Sequence, residues 1–543
     1  MTKSGIFKLV GLVAFVLLAV AAYRLLGTAV EPKIEHRIGE IGLTPNEIAA
    51  NGPLPGDVSQ YAKELACAQS LSTPGYYPSI NGAEIADAQR SGMFPCATFT
   101  GSFDGPNKVF AWRSAVEYDT TSYINNRRPG ELLISGGQAP PPKGAIPAGP
   151  FIAKADATTG REIWRTYLDN GNVSGAWIAN TNLNILPNGR IVTAWQNKVA
   201  LLDGDTGLVL KQATLPTGPT PAIDASYKHL TIAPDGTLLL KDQTRPSGCK
   251  LQGTMAIIQC NEPGMKQGNS NVVAVHPDTL EVLDSIALPE PATVPHVITM
   301  FEDRVAIYIG VNSGALRYFW DPQTKKLSQD TSWVVKPMKE GQTTSDAPSI
   351  LGDWIVLQTN GLGSETVASS IVAVHQNDPK RTQVIFPFGE LKKGEWSWAP
   401  PKPQTDPENS MIYSADMGVG KVAGIKIDQA TGELKTVWVV DNTTNAFQPL
   451  IGPKERRVML LSNARKNVEQ EPIKLALFTG NYKEQVTWRD AATGRIIAAS
   501  DFFEPLSIGA LITPGFGGRV YFPTGKAFIV LQVMPAAAPP ASK

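Results

Sequence analysis

One short motif, D-x-x-T-G, constrains this 543-residue chain more than any other feature. It occurs at Asp156-Ala-Thr-Thr-Gly160, Asp203-Gly-Asp-Thr-Gly207, Asp428-Gln-Ala-Thr-Gly432 and Asp490-Ala-Ala-Thr-Gly494. Each copy follows a β-type run, such as VALL before Asp203, and precedes another, such as REIW after Gly160. The chemistry is that of a tight hairpin: Asp caps the turn through its side chain and Gly takes the positive φ. Decayed copies keep the frame at His276-Pro-Asp-Thr279, Asp321-Pro-Gln-Thr324 and His375-Gln-Asn-Asp378. His276 and His375 stand at the capping position, so turn chemistry accounts for them.

A second hairpin recurs half a unit earlier. Its tips are Pro129-Gly130, Pro187-Asn188-Gly189, Pro234-Asp235-Gly236, Glu302-Asp303, Gly352-Asp353, Pro407-Glu408-Asn409, Pro453-Lys454 and Gly515 to Gly518. The two series alternate. One unit therefore reads strand, turn, strand, link, strand, D-x-x-T-G turn, strand, which is a four-stranded propeller blade. The eighth unit ends near Met534 after three strands, so an N-terminal strand has to supply the fourth and close the ring. Ala97 to Phe103 (ATFTGSF) is expected to do so. The predicted fold is all-β: an eight-bladed β-propeller of four-stranded antiparallel blades over 96–534. Seven blades is the alternative, if the first unit is an embellishment.

Composition agrees. Gly and Pro number 49 and 43, charged residues are 18% and hydrophobics 42%. That excludes a disordered chain, a collagen and a helical bundle. Lys+Arg and Asp+Glu balance at 49 each, which leaves no basic stripe for nucleic acid.

Residues 1–30 form an address. Lys3 and Lys8 precede the apolar run LVGLVAFVLLAVAAY, interrupted by Arg24. From Ile6 to Val30 the segment reaches the length of a membrane-spanning helix, with Arg24 placed to snorkel and the lysines holding the N-terminal side in the cytoplasm. A signal peptide cleaved near Gly27-Thr28-Ala29 is the other reading. The expected location is the inner membrane, single-pass, with the propeller in the periplasm or outside the cell; secretion after cleavage is the alternative. Residues 31–95 are expected to be a tether and a short disulfide-pinned segment, with a helix in Asp57 to Leu71, and 535–543 a disordered tail. An even count of four cysteines in an exported chain suggests disulfides, paired locally as Cys67–Cys96 and Cys249–Cys260. The second pair would staple a long loop, Lys241 to Asn269.

The segment Ala155 to Trp164, ADATTGREIW, resembles the repeat of pyrroloquinoline-quinone-type propellers, the family of quinoprotein alcohol dehydrogenases and the outer-membrane assembly lipoprotein BamB. The similarity spans about Val109 to Met534, although only this copy carries the motif through its Trp. The resemblance implies an eight-bladed fold. Quinoprotein dehydrogenases of this family commonly carry an adjacent-cysteine disulfide, and some a C-x-x-C-H haem site; the chain has neither. BamB-type lipoproteins carry an N-terminal cysteine, and none occurs before Cys67.

Small-molecule sites in propellers are expected where innermost strands line the central channel. The candidates are Trp177, Asp224, His296, Asp346, Trp396 and Trp398: aromatic walls with a few polar groups. His296 and Asp346 would serve acid–base chemistry if they converge; otherwise such residues bond across the channel, and the two tryptophans are packing. No spacing suggests a metal site. The expected role is a membrane-tethered binding or scaffold module with protein or peptide partners in the cell envelope, no cofactor and no nucleic acid. The alternative is a quinoprotein-type oxidoreductase holding the quinone with Ca²⁺ at the channel, where a small-molecule ligand is possible.

Overall fold

Both hairpin series fall where the sequence places them. The computed structural model describes residues 36–41 and 54–536, apart from 115–120, 138–149, 169–175, 180, 254–255, 258–259, 261–264, 337–338, 340–341, 362, 445–447, 507–509 and 525–526. The expected anchor and residues 537–543 of the expected tail lie outside the described residues; the tail's first residue, Pro535, instead ends the last strand, and Ala536 N–H donates to Pro106 O (2.8 Å). Among the described residues no helix is long and apolar enough to cross a membrane.

Eight antiparallel sheets form the ring, which removes the seven-blade alternative. Their innermost strands are Thr121–Asn125, Asn184–Ile185, Ala225–Ile232, His296–Phe301, Ser349–Leu351, Gln404–Asp406, Leu450–Ile451 and Thr513–Pro514, in blades 1 to 8. Each blade then runs outward. The eight first hairpins join inner and second strands. The D-x-x-T-G-type turns join third and fourth strands in blades 1 to 7. Both kinds of turn therefore lie at one end of the ring, the floor. Links between second and third strands, and between blades, lie at the other end, the mouth.

The turn chemistry is local. Asp203 Oδ1 accepts the backbone N–H of Asp205 (3.0 Å) and of Thr206 (2.7 Å) and the Thr206 hydroxyl (2.9 Å). Gly207 follows at φ 76°. At His276 an imidazole nitrogen replaces the carboxylate: Nδ1 accepts from Asp278 and Thr279, both at 3.2 Å. The turns also join blades. The Trp164 indole of blade 1 donates to Asp205 O of blade 2 (2.9 Å), and a Cβ on Gly207 would sit 2.5 Å from its ring. Trp354 of blade 5 does the same to blade 6, donating to Gln429 O (2.8 Å) and covering Gly432.

The ring closes through an N-terminal strand, but not the expected one. Asn107–Arg113 pairs antiparallel with Phe528–Pro535, from Asn107↔Pro535 to Arg113↔Ile529, and completes blade 8. Ala97 to Phe103 instead packs beside that blade: Thr100 Oγ1 donates to Val533 O (2.5 Å), and Phe99 and Phe103 meet edge-on at 5.4 Å. The reason is sequence pattern. Asn107–Arg113 (NKVFAWR) has no glycine and places Trp112 over Gly160 of blade 1. ATFTGSF has Gly101 in its middle, with no space for a Cβ beside Val533 and Asn107.

Parts of 31–95 belong to the ring. His36–Ile41 pairs antiparallel with Glu162–Tyr167 as a fifth strand outside blade 1. The expected helix is present as α1, Tyr61–Ser70. It docks on blade 8, where Gly517 N–H donates to Glu64 Oε2 (2.7 Å) and Arg519 Nη1 to the Tyr61 hydroxyl (2.5 Å). Both disulfides are formed, Cys67–Cys96 and Cys249–Cys260. The stapled loop starts later than expected, because the strand Leu238–Thr244 continues past Lys241.

Candidate functional site

The stretch from Tyr76 to Phe94 enters the floor of the central channel and fills it as a plug. Innermost strands carry edge N–H and C=O groups that need partners, and the plug supplies them blade by blade. Asn126 N–H of blade 1 donates to Asn81 O (3.0 Å). In blade 2, Tyr77 N–H donates to Ile185 O and Ile185 N–H to Gly82 O, both 2.9 Å. Ile232 N–H of blade 3 donates to the Tyr76 hydroxyl (2.7 Å). Ile298 N–H of blade 4 donates to Ala88 O (3.1 Å). The Gln404 side-chain amide of blade 6 donates to Ser91 O. In blade 7, Leu450 N–H donates to Gly92 O (2.9 Å), and Met93–Phe94 pairs parallel with Leu450–Ile451.

Charges complete the plug. Arg90 is fully buried; its Nε donates to His296 O (3.1 Å), its Nη2 to Leu230 O (3.4 Å), and Nη1 lies 2.8 Å from Glu84 Oε2. Asn182 Nδ2 also reaches Glu84 (3.3 Å). Around this pair stand Lys228 of blade 3, Asp346 before the inner strand of blade 5, Lys402 before that of blade 6, and Asp87 of the plug. Burial lowers the Lys228 ammonium, against the opposing pull of Glu84 and Asp346. Burial pulls Lys402 down to about 7, against Asp346 and Asp87. Burial raises the carboxyls of Asp346 and Asp87, the latter despite two hydrogen bonds from Ser91. Arg90, Lys228 and Lys402 thus face Glu84, Asp87 and Asp346, three cations against three anions. Lys402 Nζ is also 2.7 Å from Ser349 Oγ, with both side chains buried.

Of the six sequence-derived candidates, two lie on the channel. His296 is fully buried and its Nε2 lies 2.8 Å from Thr231 Oγ1. Burial holds its imidazole well below the ordinary value, with Arg90 and Lys241 adding to the effect. Asp346 keeps part of its surface open inside the ring, and Oδ1 accepts from Ala347 N–H (2.8 Å). No hydrogen bond joins His296 to Asp346; the charges near the latter are Lys228, Lys402 and Arg90.

The other four lie at the mouth. Asp224 pairs with Arg245 (2.9 Å) beside a cavity of about 360 Å³ that also meets Lys266 and Asn269. Trp177 is fully buried against the stapled loop, packed with Cys249 and Cys260 and donating to Gly253 O (3.0 Å). Trp396 and Trp398 form a pair with centroids 5.9 Å apart. Buried Asp416 fixes them, accepting the Ser397 hydroxyl (2.6 Å), the Ser369 hydroxyl (2.7 Å) and Trp398 N–H (3.0 Å). Lys474, from helix α2 (Ile473–Thr479), stands 5.0 Å over the Trp396 ring.

The structure thus adds Glu84, Asp87, Arg90, Lys228 and Lys402, which pattern reading passed over. The available signal was weak: Lys228 interrupts the apolar strand ASYKHLTI, and three charges follow one another at 84, 87 and 90. Among the described residues no group of three or more His, Cys, Asp or Glu side chains is arranged to hold a metal ion.

No family model and no curated protein matches the sequence. Solved structures do. The quinohemoprotein alcohol dehydrogenase of Comamonas testosteroni superposes with a TM-score of 0.51 at 11% identity, covering 90% of this chain and 86% of that one. BamB of Moraxella catarrhalis gives 0.42 at 12% identity, over 73% and 95% of the two chains. The quinohemoprotein alcohol dehydrogenase ADHIIG of Pseudomonas putida HK5 gives 0.42 at 11%, over 89% and 83%. The first likeness shows the fold, an eight-bladed β-propeller.

Proposed function

We propose that this chain is a membrane-tethered, extracytoplasmic propeller that works as a binding or scaffold module in the cell envelope, engaging protein or peptide partners through its mouth. The observation that carries this reading is the plug. It takes the floor of the channel and answers the wall charges with its own, so with both disulfides formed the channel floor is filled by an internal partner. The mouth, by contrast, carries the single-copy features: the stapled loop, helix α2 and the tryptophan pair held by Asp416. Val468 and Leu475 on the blade 7 excursion are about half exposed. Two disulfides support an oxidising compartment, and the apolar run before Val30 supplies the tether.

The alternative is a quinoprotein-type oxidoreductase. The residues present do not fit a quinone with Ca²⁺. An adjacent-cysteine disulfide is missing, the described residues hold no group of three or more His, Cys, Asp or Glu side chains arranged for a metal ion, and the Arg90–Glu84 pair stands inside the channel. The test is to add pyrroloquinoline quinone and Ca²⁺ to the purified full chain. The scaffold reading expects no bound-quinone absorbance and no oxidation of alcohols with an artificial electron acceptor. Stoichiometric quinone with turnover would replace it by the oxidoreductase. Fractionation tests the tether: the intact chain belongs in the membrane fraction, and a soluble chain starting near Val30 would make residues 1–30 a cleaved signal.

A further inference from the structure

The Cys67–Cys96 disulfide closes a loop of chain that contains the whole plug. One end of the loop is α1, seated on blade 8 through Glu64 and Tyr61. The other end follows Met93–Phe94, the last plug residues paired to blade 7. The bond therefore staples both ends of the plug together just outside the floor. Both cysteines are half-buried, and Cys96 lines a floor cavity of about 250 Å³ together with Asp87, Ser91 and the chain after α1. A reductant has a route to it.

The plug is held under unfavourable local terms. Ile85, Ala86 and Arg90 lie in the left-handed region at φ 61°, 76° and 50°. Such conformations are costly for non-glycine residues, most of all for a β-branched one, and persist only when the surroundings impose them. Polar atoms at the plug–wall contact are also left over. Asn125 Oδ1, Asn182 Oδ1 and Gln404 Oε1 are buried without a hydrogen-bond partner. Arg90 Nη1 meets Glu84 as an ion pair without an aligned hydrogen bond. The plug meets the wall through hydrogen bonds to six blades, several of them from side chains at blades 1 and 2, and through the packing of Tyr76, Ile80, Ala83, Ala88 and Phe94.

We infer that the segment from Tyr76 to Phe94 is a displaceable plug latched by the Cys67–Cys96 disulfide, so that reduction of this bond opens the floor of the central channel. The step is a thiol–disulfide exchange with a dithiol reductant. The S–S bond breaks, two electrons and two protons pass to Cys67 and Cys96 as thiols, and the dithiol leaves as a disulfide. Once the latch is open, the strained turn relaxes outside the ring. Its loss removes Glu84, Asp87 and Arg90 from the axis and leaves Lys228 and Lys402 facing Asp346, a wall with one net positive charge. Blades 1 to 8 keep their own ladders, because the closing strand Asn107–Arg113 lies beyond the latch. This goes beyond the scaffold reading, which concerns the mouth, and does not depend on the tether.

The test uses the full chain carrying Cys67→Ser and Cys96→Ser, with Cys249–Cys260 intact, and reads hydrogen exchange. The amides of Asn126, Ile185, Ile298 and Leu450 donate to plug carbonyls. They should exchange about tenfold or more faster than in the oxidised wild type, while Leu239 and Val273 inside blade 3 stay protected. Trypsin gives a second readout, since Arg90 is the only Lys or Arg between Cys67 and Cys96. Cleavage after Arg90 should appear only without the disulfide. If the variant fails to fold, the same readouts apply to folded Cys249→Ser/Cys260→Ser protein before and after reduction with dithiothreitol. Unchanged protection and no cut at Arg90 would show that the plug stays without its latch. Loss of protection through all blades together would show that the bond serves the fold as a whole. Either outcome overturns the proposal.

Discussion

At the rim of the floor, the Asp203 carboxylate stays in water and takes its hydrogen bonds from residues two and three positions further on. At the axis, Arg90 is shut away from water, and its partners are Glu84, Leu230 and His296, the last two from blades 3 and 4. Both are charged groups in the same end of the ring. The first is satisfied by its own turn and recurs, with variation, in seven blades. The second is satisfied only after distant parts of the chain have assembled, and it occurs once. A contact made by a turn with itself can be lost without exposing anything. A buried ion cannot lose its partner without being left in a low-dielectric interior.

The largest effect should come from the most distant contact. Deleting residues 107–113 removes the fourth strand of blade 8 and leaves Phe528–Pro535 as an unpaired edge. Aggregated product on size-exclusion chromatography is expected. A deletion of 36–41, which removes only the added outer strand of blade 1, should leave a soluble ring. Equal behaviour of the two deletions would show that closure is not the dominant non-local term.

The axis comes next. Arg90→Ala leaves Glu84 buried without its ion partner and takes one donor each from His296 O and Leu230 O, the latter keeping Asn184 Nδ2 (3.2 Å). Unfolding in denaturant should show a loss of about 3–5 kcal/mol. Glu84→Ala alone should cost a similar amount, and the double variant should fall well short of the sum. Strict additivity would mean that the two do not act as a pair.

The rim should respond less and more uniformly. Gly432→Ala places a methyl about where the Trp354 ring lies, at a φ of 82°, so about 2–3 kcal/mol is expected. Asp203→Ala loses only solvent-exposed turn bonds, worth about 1 kcal/mol. His276→Asp restores the consensus cap and should be neutral within about 0.5 kcal/mol. A rim substitution costing as much as Arg90→Ala would break the distinction.

The same division explains what could be read from the sequence. The rim turns were legible because each is a local rule written several times. Even where His276 and His375 replaced Asp, the frame of the other copies located them. The blade count followed; the disulfide pairings rested instead on an even cysteine count and on nearness in the chain. The closing strand was misplaced by ten residues because nothing repeats there. Two neighbouring β-type runs competed, and the decisive contact, Trp112 over Gly160, is a non-local one. The plug left almost no trace, since its residues take their conformation from the channel wall: no propensity rule places Ile85 at positive φ. The candidates fared accordingly. His296 starts an inner strand and Asp346 stands just before one, and both face the channel. Trp177 and Asp224 were drawn to the mouth by the stapled loop, whose path the repeat does not encode.

The predicted effect whose sign separates rim from interior concerns pH. At the rim, hydrogen bonds from Thr206 and Asp205 hold the Asp203 carboxyl below its ordinary value. Hydrogen bonds within their own turns do the same for Asp428 and Asp321. A depressed carboxyl binds fewer protons in the folded chain than in the unfolded one. Its stabilisation is complete above the unfolded value near 3.8 and is lost as pH falls through the folded values. Inside blade 7, burial pushes Glu484 the other way, up to about 7, even though it accepts Leu506 N–H at 2.7 Å. A raised carboxyl binds more protons when folded. Its contribution is complete below the unfolded value of 4.5 and is lost as pH rises towards 7. The chain should therefore lose stability from about pH 4 downward through its rim, and from about pH 4.5 to 7 through Glu484. Glu484→Gln keeps an acceptor for Leu506 and cannot ionise. It should reduce the upper slope in denaturant unfolding, to which the raised carboxyls of Asp87 and Asp346 also contribute, while leaving the acid limb unchanged. Asp203→Asn should weaken the acid limb alone. If Glu484→Gln changed both limbs, or neither, the rim and the interior would not titrate as separate systems, and the contrast between self-satisfied and assembled charges would fail at its most sensitive point.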